Sequence, residues 1–138
     1  MKSNLQMVGL LHMIWGGFLG LGGVFVLGIQ LIAALGMFAV GGAALAGGGR
    51  DAEESGAVLA IIGLAQGVFG LVLGGVFAAL AGVHFMAGSR IRGERSSGYV
   101  LGMISACMMM LSFPLGTALG VFTIVTLVKP EARALLRG

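Results

Sequence analysis

The sequence predicts an all-α integral membrane protein, a single transmembrane domain over residues 1–138 folded as a four-helix bundle. Two observations predict it. Of 138 residues, 58% are apolar and only 9% charged, with a mean hydropathy of +1.07, whereas a soluble domain carries about a quarter charged residues to cover its surface. The charges are also segregated, because Leu5 to Gly49, Ala57 to Ala87 and Tyr99 to Val128 contain none. At about twenty apolar residues per crossing the chain holds four spans, at most five, so any site lies within the bilayer or in short loops.

The first span is expected over about 5–35. Lys2 precedes it as in a signal peptide, but the apolar run is far longer than the h-region of such a peptide, so it reads as an uncleaved span. Residues 36–49 follow as a small-residue segment ending in Gly47-Gly48-Gly49, where glycine disfavours helix. Next come an acidic outer loop at 50–55, carrying Asp51, Glu53 and Glu54, a second span at 57–87, and a basic inner loop at 89–97, carrying Arg90, Arg92 and Arg95. The last stretch divides into spans at 99–112 and 115–128 around a turn at Pro114, Gly116 and Thr117. Each of these helices has about fourteen residues, or ~21 Å, short of the ~30 Å hydrocarbon core.

The position of the basic residues orients the chain. Arg90, Arg92 and Arg95, like Lys129, Arg133 and Arg137 in the tail, mark cytoplasmic segments, which puts both termini inside and the acidic loop outside. A first stretch that crossed twice would reverse the arginine loop, which favours four spans over five. The same arginines are placed to meet lipid headgroups. Pro130 to Arg137 alternates apolar and basic positions as a short interfacial helix does.

The run Phe113-Pro114-Leu115-Gly116-Thr117-Ala118-Leu119-Gly120, with the apolar stretch and short charged tail after it, resembles a family of small, uncharacterised bacterial four-span membrane proteins. Leu10-Leu11-His12-Met13-Ile14-Trp15-Gly16 is similar to the opening of that family's first helix. The likeness covers the last forty residues well and the first twenty loosely. It departs in the basic loop, where the family often has tryptophan before an arginine and this chain has Ser97-Gly98-Tyr99. The resemblance implies the four-span fold and brings no activity with it. A bacterial cytoplasmic membrane is the expected location.

Helix contacts within a bilayer depend on small residues, because lipid supplies no hydrophobic drive between helices. Gly16, Gly20 and Gly23 form such a face on the first span; Gly63 and Gly67, then the ridge Gly70, Gly74, Ala78 and Gly82, form one on the second. The two helices are expected to pack antiparallel.

His12 and His84 are the only histidines, and buried ionisable groups in a membrane are suspects by default. Each falls one or two turns from the cytoplasmic end of its span, so they share a depth. Axial ligation of haem, a metal site or a proton site is the functional reading; reaching a headgroup or backbone carbonyl near the interface is the structural one, and it leads. Gln30 and Gln66 read as hydrogen-bonding glue between helices. Met103, Met108, Met109 and Met110 flank Cys107, a composition that suits soft metals, but successive methionines point in different directions, so packing is the expected role. The single cysteine excludes an intramolecular disulfide.

No nucleophile lies at catalytic spacing from a base, and no phosphate-cradling loop occurs. The expectation is therefore a non-enzymatic protein with no cofactor and no nucleic-acid partner. It reads as a structural or accessory subunit that associates through glycine faces, with itself or with a larger membrane complex. The alternatives are a small oligomeric channel or transporter lined by Gln30, Gln66, Ser105 and Thr123, and a bis-histidine haem or metal protein.

Overall fold

The structure is a computed structural model that describes residues 2–137. Among these, the chain is all-helical, with α1 (Lys2–Gly47), α2 (Arg50–Arg92), α3 (Ser97–Met110), α4 (Leu115–Val128) and α5 (Pro130–Arg137). Helices α1 and α2, of 46 and 43 residues, are both long and apolar enough to cross a membrane.

Three segments expected as irregular are helical. Residues 36–47 continue α1, although they are rich in glycine and alanine. Glycine costs about 1 kcal/mol in a helix, but alanine, the best helix former, is interspersed with it here, and extending an existing helix adds one hydrogen bond per residue without a new nucleus. The chain leaves the helix only at Gly48 and Gly49, whose φ values of +74° and +110° lie where a Cβ would clash. Arg50–Ser55 is not a loop but the start of α2, with Asp51 and Glu53 in the first turn, where carboxylates face unpaired N–H groups. The last turn of α2 likewise takes in Ser89–Arg92, which leaves 93–96 as the connection to α3.

Contacts divide the chain into two compact units, Met1–Gly20 with Ala79–Gly138, and Leu21–Ala78. The second unit is an antiparallel helix pair. Its seam on α2 runs Gly56, Ala60, Gly63, Gly67, Gly70, Gly74, Phe77, in alternating steps of four and three, as in a coiled coil. A Cβ on Gly56 would lie 2.7 Å from the Gly41 carbonyl oxygen, one on Gly63 3.0 Å from that of Ala34, and one on Gly70 2.6 Å from Gln30 Cβ. Backbones therefore meet directly along this seam.

The contact does not follow the expected four-step ridge Gly70, Gly74, Ala78, Gly82 to its end. Each step of four residues turns the helix about 40° past a full turn, so Gly82 sits ~120° round from Gly70. Ala78 is exposed and nothing approaches within 4 Å of a Cβ on Gly82. Alternating fours with threes cuts the drift to ~20° per seven residues, and the contact follows that pattern instead.

The first unit has a true core. Leu5, Val8, Ile91, Leu127, Ala132 and Leu136 bury one another, with Tyr99, Met103, Phe122 and Leu135 packed around them. Helix α5 supplies Ala132 and Leu136, so its apolar face closes the base of this unit and is unavailable to lie on lipid, contrary to the interfacial reading. Helices α3 and α4 form a tight hairpin. A Cβ on Gly120 would fall 2.6 Å from the Ala106 carbonyl oxygen, and Gly116 packs beside Trp15 and Ser112. The turn itself occupies residues 111–114.

Candidate functional site: a buried histidine pair

His12 on α1 and His84 on α2 meet in the first unit, with ring centroids 5.7 Å apart and planes tilted by 53°. The antiparallel contact that joins them is made by glycine. A Cβ on Gly88 would lie 2.5 Å from the Gly9 carbonyl oxygen, and one on Gly16 2.9 Å from that of Ala81 and 3.2 Å from His84 Cβ. These contacts lie about one turn to either side of the pair. Close backbones bring two seam positions face to face, and both seam residues here are histidine.

Both residues are buried, 0% and 1% exposed, so neither ring is on the protein surface where it would meet a headgroup. His12 Nδ1 lies 3.1 Å from the Val8 carbonyl oxygen. A carbonyl only accepts, so Nδ1 carries the proton and, in the neutral ring, Nε2 is left with its lone pair. That Nε2 and His84 Nδ1 are both buried without a hydrogen-bond partner. Buried polar groups are paired almost without exception, so two such nitrogens in one pair make these rings the candidate site.

The same contacts bear on haem. A macrocycle between the rings would have to wedge apart helices that already touch through Gly9 and Gly88 on one side and Gly16 and Ala81 on the other, so the small residues make room for the opposite helix and leave no slot for a porphyrin.

Other expected residues are distributed as follows. In the second unit Gln66 donates its side-chain amide to Gln30 Oε1. In the first unit Ser105 and Thr123 are buried, and Ser105 Oγ donates to the Gly102 carbonyl oxygen at 3.1 Å. With the two amides bonded to each other and the serine bonded to its own helix, these groups act as internal fastenings. Among the methionines Met109 is buried and Met110 exposed, and Cys107 is exposed. They turn to different sides of α3.

The basic groups of the first unit gather at one end. Lys2 Nζ pairs with Glu94 Oε2 at 3.2 Å, Arg92 Nε donates to Gln6 Oε1 at 3.3 Å, Arg90 Nη1 donates to Ser97 Oγ at 2.7 Å, and the Arg133 guanidinium sits 5.8 Å from the Tyr99 ring centre. Arg95 is exposed. At the α3–α4 turn, Pro114 has no N–H to satisfy and Thr117 Oγ1 donates to the Met110 carbonyl oxygen at 2.9 Å. Gly116 and Thr117 belong to the first turn of α4.

Sequence reasoning placed the histidines on neighbouring helices but did not show that they bury against each other. The missing signal was the seam, in which His12 and His84 fall on the steps that carry Gly9, Gly16, Ala81 and Gly88. No protein-family model, no curated protein and no solved structure matches this chain.

Proposed function

We propose that this chain is a small, non-enzymatic integral membrane protein that serves as a structural or accessory subunit, with both termini on the cytoplasmic side. The observation that carries the reading is the outer surface of its long helices. Only 11% of the most apolar window of α1, and 17% of that of α2, is buried within the protein. Phe18, Leu21, Val24, Phe25, Ile32 and Ile61 are each about two-thirds exposed or more. A soluble protein does not leave such area to water, and lipid is the solvent that accepts it.

Association is supported by glycines that the fold leaves unused. Gly17, Gly28, Gly75 and Gly82 have open space where a side chain would be, on surfaces otherwise covered with large apolar groups. Small positions of this kind let a neighbouring helix approach closely.

The α3–α4 hairpin refines the four-span expectation. Each helix has 14 residues, ~21 Å, and the tip residues Leu111, Phe113 and Leu115 are 88%, 86% and 70% exposed. An apolar tip on short helices stays inside the hydrocarbon when the other end is held by Arg90, Arg92 and Lys129 at the headgroups. We read the hairpin as re-entrant, entering and leaving on the cytoplasmic side, with α1 and α2 as the complete crossings. Backbone irregularity at that depth is tolerated because the turn's own groups are bonded: Ser112 N–H to Met109 O at 2.9 Å, Gly116 N–H to Ser112 O at 2.8 Å and Thr117 to Met110.

Cysteine labelling in a Cys107→Ser background tests this. A membrane-impermeant maleimide reaches Ser55→Cys from outside, Arg92→Cys only after permeabilisation, and Phe113→Cys from neither side. Labelling of Arg92→Cys from outside overturns the orientation, and labelling of Phe113→Cys from outside restores two further crossings. Crosslinking in native membranes gives species above the monomer that Gly75→Leu with Gly82→Leu removes; a monomer alone, before and after substitution, overturns association.

A further inference from the structure

We propose that His12 and His84 bind a single copper(I) ion, through His12 Nε2 and His84 Nδ1. The inference rests on the geometry of the first unit and does not depend on the topology or on association. Both rings are buried, both named nitrogens lack a hydrogen-bond partner, and His12 is held in the tautomer a metal requires. Ligating histidines characteristically donate their other ring N–H to a carbonyl or carboxylate, which fixes the ring and raises its basicity. The bond from His12 Nδ1 to the Val8 carbonyl oxygen has that form.

The spacing admits an ion between the rings. Two metal–nitrogen bonds of about 2.0 Å, with ~1.1 Å from each nitrogen to its ring centre, separate the centroids by about 6 Å when collinear and by less when bent. The observed separation is 5.7 Å. A proton shared directly between the rings needs nitrogens ~2.9 Å apart and so centroids at about 5 Å, closer than observed.

Charge and coordination number select among metals. Among the described residues no three His, Cys, Asp or Glu side chains gather around one point, so a four-coordinate zinc site of ordinary composition is not available. No carboxylate lies within the charge-free stretches that carry either histidine, and the cost of a buried ion without a counter-charge grows with the square of its charge. A monovalent, closed-shell ion that accepts two nitrogen donors fits both conditions, and copper(I) is such an ion. It enters and leaves without change of oxidation state, each imidazole contributing a lone pair and no proton being displaced from the ligating nitrogens.

The test uses the full chain in detergent micelles without oxygen, titrated against copper(I) held by a chromophoric bicinchoninate competitor. The wild-type protein withdraws one equivalent from the chromophore, and X-ray absorption shows two nitrogen neighbours. His12→Phe and His84→Phe each abolish the withdrawal while the helical circular dichroism is unchanged, and Cys107→Ser retains it. Glutamine at either position, polar and of similar length, reads the same loss where the phenylalanine variant does not fold. The proposal is overturned if wild-type protein withdraws no copper, as when a water bridges the rings, or if both histidine variants keep the full equivalent, which would place the ion on the α3 methionines and Cys107.

Discussion

Gln66 donates its side-chain amide to the Gln30 side-chain oxygen across the helix pair of the second unit. It sits beside a seam otherwise made of glycine, alanine and apolar groups. Gln66→Leu or Gln30→Leu leaves the partner amide without its bond, whereas the double variant removes both polar groups together. Membrane cycles of this kind average about 0.6 kcal/mol and reach ~1.7 kcal/mol. A positive coupling in that range, measured by unfolding in mixed anionic and neutral micelles, is expected; additive single losses would deny the bond a stabilising role.

Glycines of the seam and glycines of the outer surface are predicted to respond in opposite directions. In Gly88→Ala the new methyl would lie 2.5 Å from the Gly9 carbonyl oxygen, and in Gly56→Ala 2.7 Å from that of Gly41. Helix separation follows, at about 1–3 kcal/mol. Gly82→Ala meets open space and gains helix propensity, worth roughly 0.5–1 kcal/mol. The same micelle titration separates these outcomes by sign.

The contrast explains what could be read from the sequence alone. Charge position divided the chain so that His12 and His84 fall on neighbouring helices, but it did not mark the helix ends, since Arg50–Ser55 and Ser89–Arg92 are helical. Distance from the nearest charge measures depth along a helix, however, and not which way a side chain faces. His84 faces α1 because Ala81, His84 and Gly88 keep the alternating step, a pattern hidden among 27 glycines that also offer strict four-residue ridges. Residues 36–47 are helical for another reason: propensities are measured on isolated peptides, and extending a helix already formed adds a hydrogen bond per residue without a new nucleus.

The turn between α1 and α2 is predicted to depend on glycine at both positions. Gly48→Ala and Gly49→Ala place a Cβ in the left-handed region, at φ +74° and +110°, for about 1–2 kcal/mol each. Asparagine at position 48 costs less than alanine there. Thermal loss of the circular dichroism signal checks the order glycine, asparagine, alanine.

Helix α5 is predicted to act as part of the core. Leu136 is fully buried against the cluster of Leu5, Val8, Ile91 and Leu127, so Leu136→Ala costs ~2–5 kcal/mol. Exposed Ala134 tolerates serine within about 0.5 kcal/mol. Amide hydrogen exchange across α5 reads the difference, with faster exchange in Leu136→Ala; equal rates in the two variants would mean that the helix rests on the bundle without supporting it.

That core also sets an order of events during synthesis. Leu5 leaves the ribosome long before Leu136, yet the two share one apolar cluster. The base of the first unit therefore cannot close until α5 has been made, and Leu5, Val8 and Ile91 wait until then with their late partners Leu127, Ala132 and Leu136 missing.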